Sequence, residues 1–137
     1  MISAKAIGLS TFLLRINHLP PIVKARMQRE FDRKAEEAVR DMQERVNVEK
    51  GALRDSIRWG QNTEEHSAGI KITAGGVPET QHPDHKNGLV YDEALLLEFG
   101  TVHQEAQPFF RPVIHEVFGA DAAEEIKTNV SLKDSED

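Results

Sequence analysis

The chain is predicted to be α+β: a long N-terminal amphipathic helix packed on a small, mainly antiparallel β-sheet, with a C-terminal helix. Three observations predict this. From Ile22 to Val46, apolar residues recur at three- and four-residue steps between Arg, Lys, Glu and Asp, as in a helix of about seven turns with one buried stripe. Ile70-Lys71-Ile72-Thr73-Ala74 alternates with period two, as a half-buried strand does. Pro112 to about Val130 returns to helical spacing, with Val113, Ile114, Val117, Ala120 or Asp121, and Ile126 turned inward. Strands grouped between helices, rather than alternating with them, give α+β.

Taken in order, Ser10-Thr11 after Gly8-Leu9 is expected to cap a short helix through Phe12, Leu13 and Ile16. Pro20-Pro21 stops that element and opens the next, since proline suits a first helical turn. Along the long helix, Met27, Phe31, Val39 and Met42 are expected to be buried and Arg29, Arg33 and Arg40 exposed. Asn47 to Lys50 breaks the pattern and Gly51 stands where a helix stop would. Ala52 to Ile57 adds a short turn before Ile57-Arg58-Trp59 enters a strand. The stretch 75–88 is rich in Gly, Pro, Asn, Asp and His and is expected to be a mobile loop. Leu89-Val90-Tyr91 forms a short strand, and Asp92 caps a brief helix closed by Gly100. Gly119 weakens the final helix. A single domain is expected over residues 1–131, followed by a charged tail, 132–137.

Composition narrows the function. The chain has 137 residues, no cysteine, 6% aromatic residues and 29% charged residues, with a mean hydropathy of −0.50. A disulfide framework and a thiolate metal site are therefore absent. The apolar runs are far shorter than the roughly 18–20 residues of a membrane span. No A-x-A-like cleavage site follows the first fifteen residues, so no secretory signal is expected, and Asn129-Val130-Ser131 is a chance match to a glycosylation sequon. The net charge of −6 is uneven: residues 1–60 hold twelve Lys/Arg against eight Asp/Glu, and residues 61–137 hold five against fifteen. So acidic a chain is poorly suited to bind nucleic acid. Its basic half could meet the acidic half of another copy, and head-to-tail contacts of that kind close into rings.

Candidate chemistry is sparse. His82-Pro83-Asp84-His85, with His103 beyond, offers too few fixed ligands for a zinc site. Ser56 and Ser67 lack a nucleophile elbow, and Gly75-Gly76 has no following Lys-Ser/Thr. Glu98 ends an apolar run and is expected to anchor backbone N–H groups or a basic partner such as Arg54 or Arg111. No second catalytic group stands at a recognisable spacing, so neither catalytic residue, cofactor nor metal is expected. The strongest pattern is Leu95-Leu96-Leu97-Glu98-Phe99-Gly100-Thr101 followed by Pro108-Phe109-Phe110-Arg111-Pro112. Adjacent aromatics in an extended segment point to opposite faces. One ring is therefore expected in the core and the other free, as a preorganised anchor.

Together with Gly51, Leu53, Ser56 and Ile57 in Gly51-Ala52-Leu53-Arg54-Asp55-Ser56-Ile57, these boxes resemble the tail-component and neck-protein family of long-tailed bacteriophages named after a gene-10 product of a lambdoid phage. The family pattern is G-x-L-x-x-S-I, a variable β region, an E-F-G-T box (here Glu98, Phe99, Gly100, Thr101) and P-F-[FL]-R-P (here Pro108, Phe109, Phe110, Arg111, Pro112). Two places depart from it: Asn47 to Lys50 replaces a Pro and Thr, and Tyr91 stands further upstream than the usual aromatic. The resemblance implies a virion structural protein of the neck or tail, made in the bacterial host cytoplasm and acting in head–tail joining or tail completion. It also implies ring-type self-association and docking to connector or tail proteins, with no catalytic residues. The competing expectation is a non-viral oligomerisation or adaptor module that pairs through the long helix.

Overall fold

The computed structural model describes residues 2–6, 11–46, 50–83 and 88–136, without the side chains of 2–6, 120 and 131–136. Four strands, β1 (Ile2–Ala6), β2 (Thr11–Ile16), β3 (Arg58–Gln61) and β4 (Ala68–Thr73), form an antiparallel sheet in the order β1-β2-β4-β3. Rows of directly opposed residues run across it: Phe12–Ile72–Trp59 and Leu14–Ile70–Gln61 on one face, Leu13–Lys71–Gly60 and Thr11–Thr73–Arg58 on the other. Phe12, Leu14, Ile70 and Ile72 are buried. The fold class is the expected one. Thr11 to Ile16, however, is a strand and not a helix. Phe12 and Leu14 alternate with half-buried neighbours, and pairing with strands on both sides outweighs a local capping signal. Gly8, Leu9 and Ser10 lie outside the described residues.

The long helix α1 (Pro21–Arg45) crosses the inner face, opened by Pro20 and Pro21 as expected. Phe31, Ala35, Ala38 and Met42 are buried, Met27 and Val39 are partly buried, and Arg29, Arg33 and Arg40 are exposed. The alanines let the helix axis come close to β4. Ile22, expected in the stripe, is exposed. The helix closes at Arg45, where the Val46 N–H bonds the Met42 carbonyl. Gly51 therefore does not stop it; Gly51 opens α2 (Gly51–Ser56).

Two further regions depart from expectation. The stretch after β4 is not a featureless loop, because Pro78–Thr80 makes a 3-10 turn and β5 (Gln81–Pro83) pairs with β6 (Val90–Asp92). Residues 84–87, and with them His85, lie outside the described residues. The C-terminal part is two helices, α4 (Arg111–Phe118) and α5 (Ala120–Glu136), rather than one. Gly119 is extended between them, and its carbonyl accepts from the N–H groups of Ala122 and Ala123, starting α5 afresh. Because α5 runs to Glu136, residues 132–136 continue that helix. Phe118 meets Phe12 at 5.2 Å, which places the α4–α5 junction on the same side of the sheet as α1. An apolar hollow of about 260 Å³ remains between β2, α1 and α5.

The charges of the two halves meet first inside the chain. Lys34 on α1 bonds Glu125 on α5 at 2.7 Å, Arg33 reaches Glu30 and Glu125, and Arg45 reaches Glu116. The hydrogen bond from Lys34 holds the Glu125 carboxyl below its usual pKa, with Arg33 adding to the effect. Arg33 is pushed above its usual value, chiefly by its bond to Glu30.

Candidate functional site: a carboxylate corner and its apolar rim

The two sequence boxes fold into a chain of backbone anchors around α3 (Glu93–Phe99). The Ser56 hydroxyl donates to the Leu53 carbonyl at 2.6 Å and accepts from the Gly75 N–H at 2.8 Å, tying α2 to the exit of β4. The neighbouring Gly76 N–H donates to Asp92 Oδ2 at 2.7 Å, which also accepts from the Thr80 hydroxyl. Asp92 Oδ1 caps α3 through the Ala94 N–H. Gly75 and Gly76 both have φ of 72°, and a Cβ at Gly75 would strike the Asp92 carboxylate, so a side chain there is excluded on two counts. Leu53 and Ile57 are buried beneath this brace. The Gly51 to Ile57 motif is thus a brace, with its apolar residues inside.

At the far end of α3, Glu98 is 3% exposed. Its Oε2 accepts from the N–H groups of Phe109 and Phe110 at 2.9 and 3.0 Å, and its Oε1 from Arg111 N–H at 3.0 Å. These are donors at the start of α4, left orphaned by the helix itself. A carboxylate there also complements the positive end of the helix dipole. Glu98 therefore caps a helix 13 residues downstream. The backbone role is one of those expected of it. Arg54 is not its partner and lies instead beside Asp55. Pro112 sits in the first turn, where its missing N–H leaves no bond unmade.

The loop between the boxes is folded back on α3. Gly100, with φ of 73°, closes the helix, and a Cβ on it would meet the Ala106 nitrogen at 2.6 Å. Thr101 and Gln104 exchange backbone bonds, the Thr101 hydroxyl accepts from His103 N–H, and Gln107 N–H reaches the Leu97 carbonyl.

The expectation of one free ring in the Phe109–Phe110 pair is overturned. Phe109 is 1% and Phe110 3% exposed, packed edge to face at 6.3 Å. Phe110 is helical (φ −95°, ψ −62°) rather than extended, and a helical turn brings neighbouring side chains closer in angle than a strand does. Both rings belong to the core. The exposed apolar groups lie elsewhere: Ile22 at the start of α1 and, around α3, Leu89, Val90, Tyr91, Phe99 and Val102, the last 98% exposed. The Arg111 guanidinium sits 4.3 Å over the Phe99 ring, a cation–π contact that fixes the orientation of both. This rim flanks α3, with β6 entering one end and the 101–107 loop leaving the other, about 10 Å apart for a helix of seven residues.

The outline of these sequence boxes has a counterpart among known proteins. The profile of the bacteriophage HK97-gp10-like family, described as "putative tail-component", matches residues 10–100. The chain belongs to this phage tail-component family. No curated protein and no solved structure matches it. The matched span contains the brace at Ser56, the cap at Asp92 and the Glu98 corner. The α4 turn that Glu98 holds lies just beyond.

Among the described residues of this tail component, no group of three His, Cys, Asp or Glu side chains could hold a metal. His82 bonds Glu93 at 2.7 Å and packs on Tyr91, so it supports the β5–β6 hairpin. Among the described residues no helix is long and apolar enough to cross a membrane. Sequence reasoning missed the links from Gly75 to Ser56 and from Gly76 to Asp92. The Gly-Gly pair was the available signal, because two consecutive glycines permit the left-handed backbone that such a close approach requires.

Proposed function

We propose that this phage tail component, placed by its family in the virion, acts in head–tail joining or tail completion. In this reading, copies associate into a ring and dock onto neighbouring connector or tail proteins through the rim around α3. The observation that carries it is the exposure of Val90, Tyr91, Phe99 and Val102 on an otherwise polar chain. Exposed apolar groups grouped in this way mark interaction surfaces. The Glu98 corner and the Gly100 turn hold the rim's backbone in place before any partner arrives, which lowers the entropy lost on docking. Of the sequence boxes, Phe99, Thr101, Pro108 and Arg111 are on the surface and take part, whereas Leu53, Ser56, Ile57, Phe109 and Phe110 act from inside. Made in the host cytoplasm, the chain needs no cofactor and no sequence-specific contact with DNA for this role.

The adaptor reading loses its footing, because the apolar stripe of α1 is spent on the sheet and leaves no free face to pair with a partner helix. The test is to add purified protein to phage particles assembled without it. Restored joining of heads and tails, with annular density at the junction in electron micrographs, is expected. Particles that complete normally without the protein would overturn the reading.

A further inference from the structure

The outer face of the sheet carries charge of one sign. Its rows are Thr11–Thr73–Arg58, Leu13–Lys71–Gly60 and Arg15–Gly69, with no carboxylate among them, and β1 contributes no acidic residue to the sheet. Arg15 is matched by Glu64 at 3.2 Å. Lys71 has no hydrogen bond or ion pair among the described residues, and Arg58 gives one bond to the Ser56 carbonyl. The two flank Gly60, where a shallow hollow of about 230 Å³ opens on the strand edge.

The complement lies on the other layer of the molecule. Asp121 and Glu124 are exposed at the start of α5, and Glu124 has only a loose contact with Lys127 at 3.8 Å. Because α5 packs with α1 on the inner side of the sheet, one copy does not bring this carboxylate pair to its own outer face.

We propose that the outer sheet face of one copy receives the acidic start of α5 from the next, with Arg58 and Lys71 facing Asp121 and Glu124. This rests on the self-association reading and gives it a specific contact. Two different patches on one subunit make a heterologous interface, which closes into a ring when the rotation permits. Complementary charge of this kind fixes register and excludes wrong pairings more than it adds affinity. Duplex DNA is the other polyanion such a face could meet. Two open cations release too few counterions to hold it, and the net charge of −6 on the chain opposes its approach.

The experiment is a charge swap in the full chain, followed by light scattering and sedimentation. One variant carries Arg58→Glu and Lys71→Glu; the other carries Asp121→Lys and Glu124→Lys. All four positions are exposed, so the first variant should melt like the parent. The second places two cations at the start of α5 and should melt slightly lower, so assembly is compared at a temperature where both are folded. Each alone should need on the order of tenfold higher concentration to assemble, while an equimolar mixture should associate at parent-like concentration, because each contact between unlike variants is matched again. Either variant assembling alone like the parent would overturn the proposal, as would a mixture that stays dissociated. Loss of duplex DNA retention with assembly intact in the first variant would assign the face to nucleic acid and also overturn it. A parent chain that never associates, alone or on phage particles, would remove the self-association reading itself, an outcome distinct from the others.

Discussion

Glu98 and Glu125 are the same residue type doing opposite kinds of work. Glu98 is buried and accepts three main-chain N–H groups. Glu125 is half exposed and pairs with Lys34 and Arg33 across the α1–α5 seam. Removing the first strands two buried donors and a part-buried third, and the buried ones then carry their desolvation penalty. Removing the second leaves the buried Lys34 without its carboxylate, while the exposed Arg33 keeps its bond to Glu30. The number of main-chain donors held at once, more than the presence of a charge, sets the two carboxylates apart.

That contrast can be broken most directly at Glu98. Glu98→Ala should lower unfolding stability by about 3–5 kcal/mol in urea titrations, and Glu98→Gln should recover only part, since its amide nitrogen cannot accept. A loss within error of zero would mean that the start of α4 is held by something else. Next in size, Phe109→Ala and Phe110→Ala should each cost about 3–5 kcal/mol, and the two should behave alike because both rings are buried. Ser56→Ala should cost about 1–2 kcal/mol and speed amide hydrogen exchange at Gly75, the donor it strands. Smallest is the seam. The Glu125 pKa is lowered in the folded chain, so its contribution is present above the unfolded carboxylate value and fades as pH falls through the lower folded one. Glu125→Gln, whose amide oxygen can still accept from the buried Lys34, should lower the melting temperature at neutral pH less than the corner variants do and should slightly flatten its fall in acid. A large drop at neutral pH would place the seam on a par with the corner.

The sequence made the periodic parts of this comparison legible and hid the ones built from contacts distant along the chain. The α1 stripe, the β4 alternation, the Asp92 cap and the Gly100 stop could be read because each depends on neighbours within one or two turns. The strand at Thr11 to Ile16 was misread, because its conformation is set by β1 and β4 and not by Ser10-Thr11. Gly119 was read as a weak point within a helix, yet it separates two helices. The difference at Phe109–Phe110 has the same origin: the opposite-faces argument holds for an extended segment and weakens in a helix, and Glu98, 11 and 12 residues upstream, draws those N–H groups into a helical start. The sequence pointed to the right residue at Glu98, and only the fold could show that its partners are main-chain donors.

The central claim is that the buried corner holds the fold while the rim outside it does the docking. The most direct measurement is thermal melting, with restoration of head–tail joining in particles assembled without the protein, on two variants side by side, Phe109→Ala for the corner and a Val90→Asp, Val102→Asp pair for the rim. The corner variant should melt well below the parent. The rim variant should melt with the parent and fail to restore joining. A rim variant that restores joining as the parent does would contradict the account.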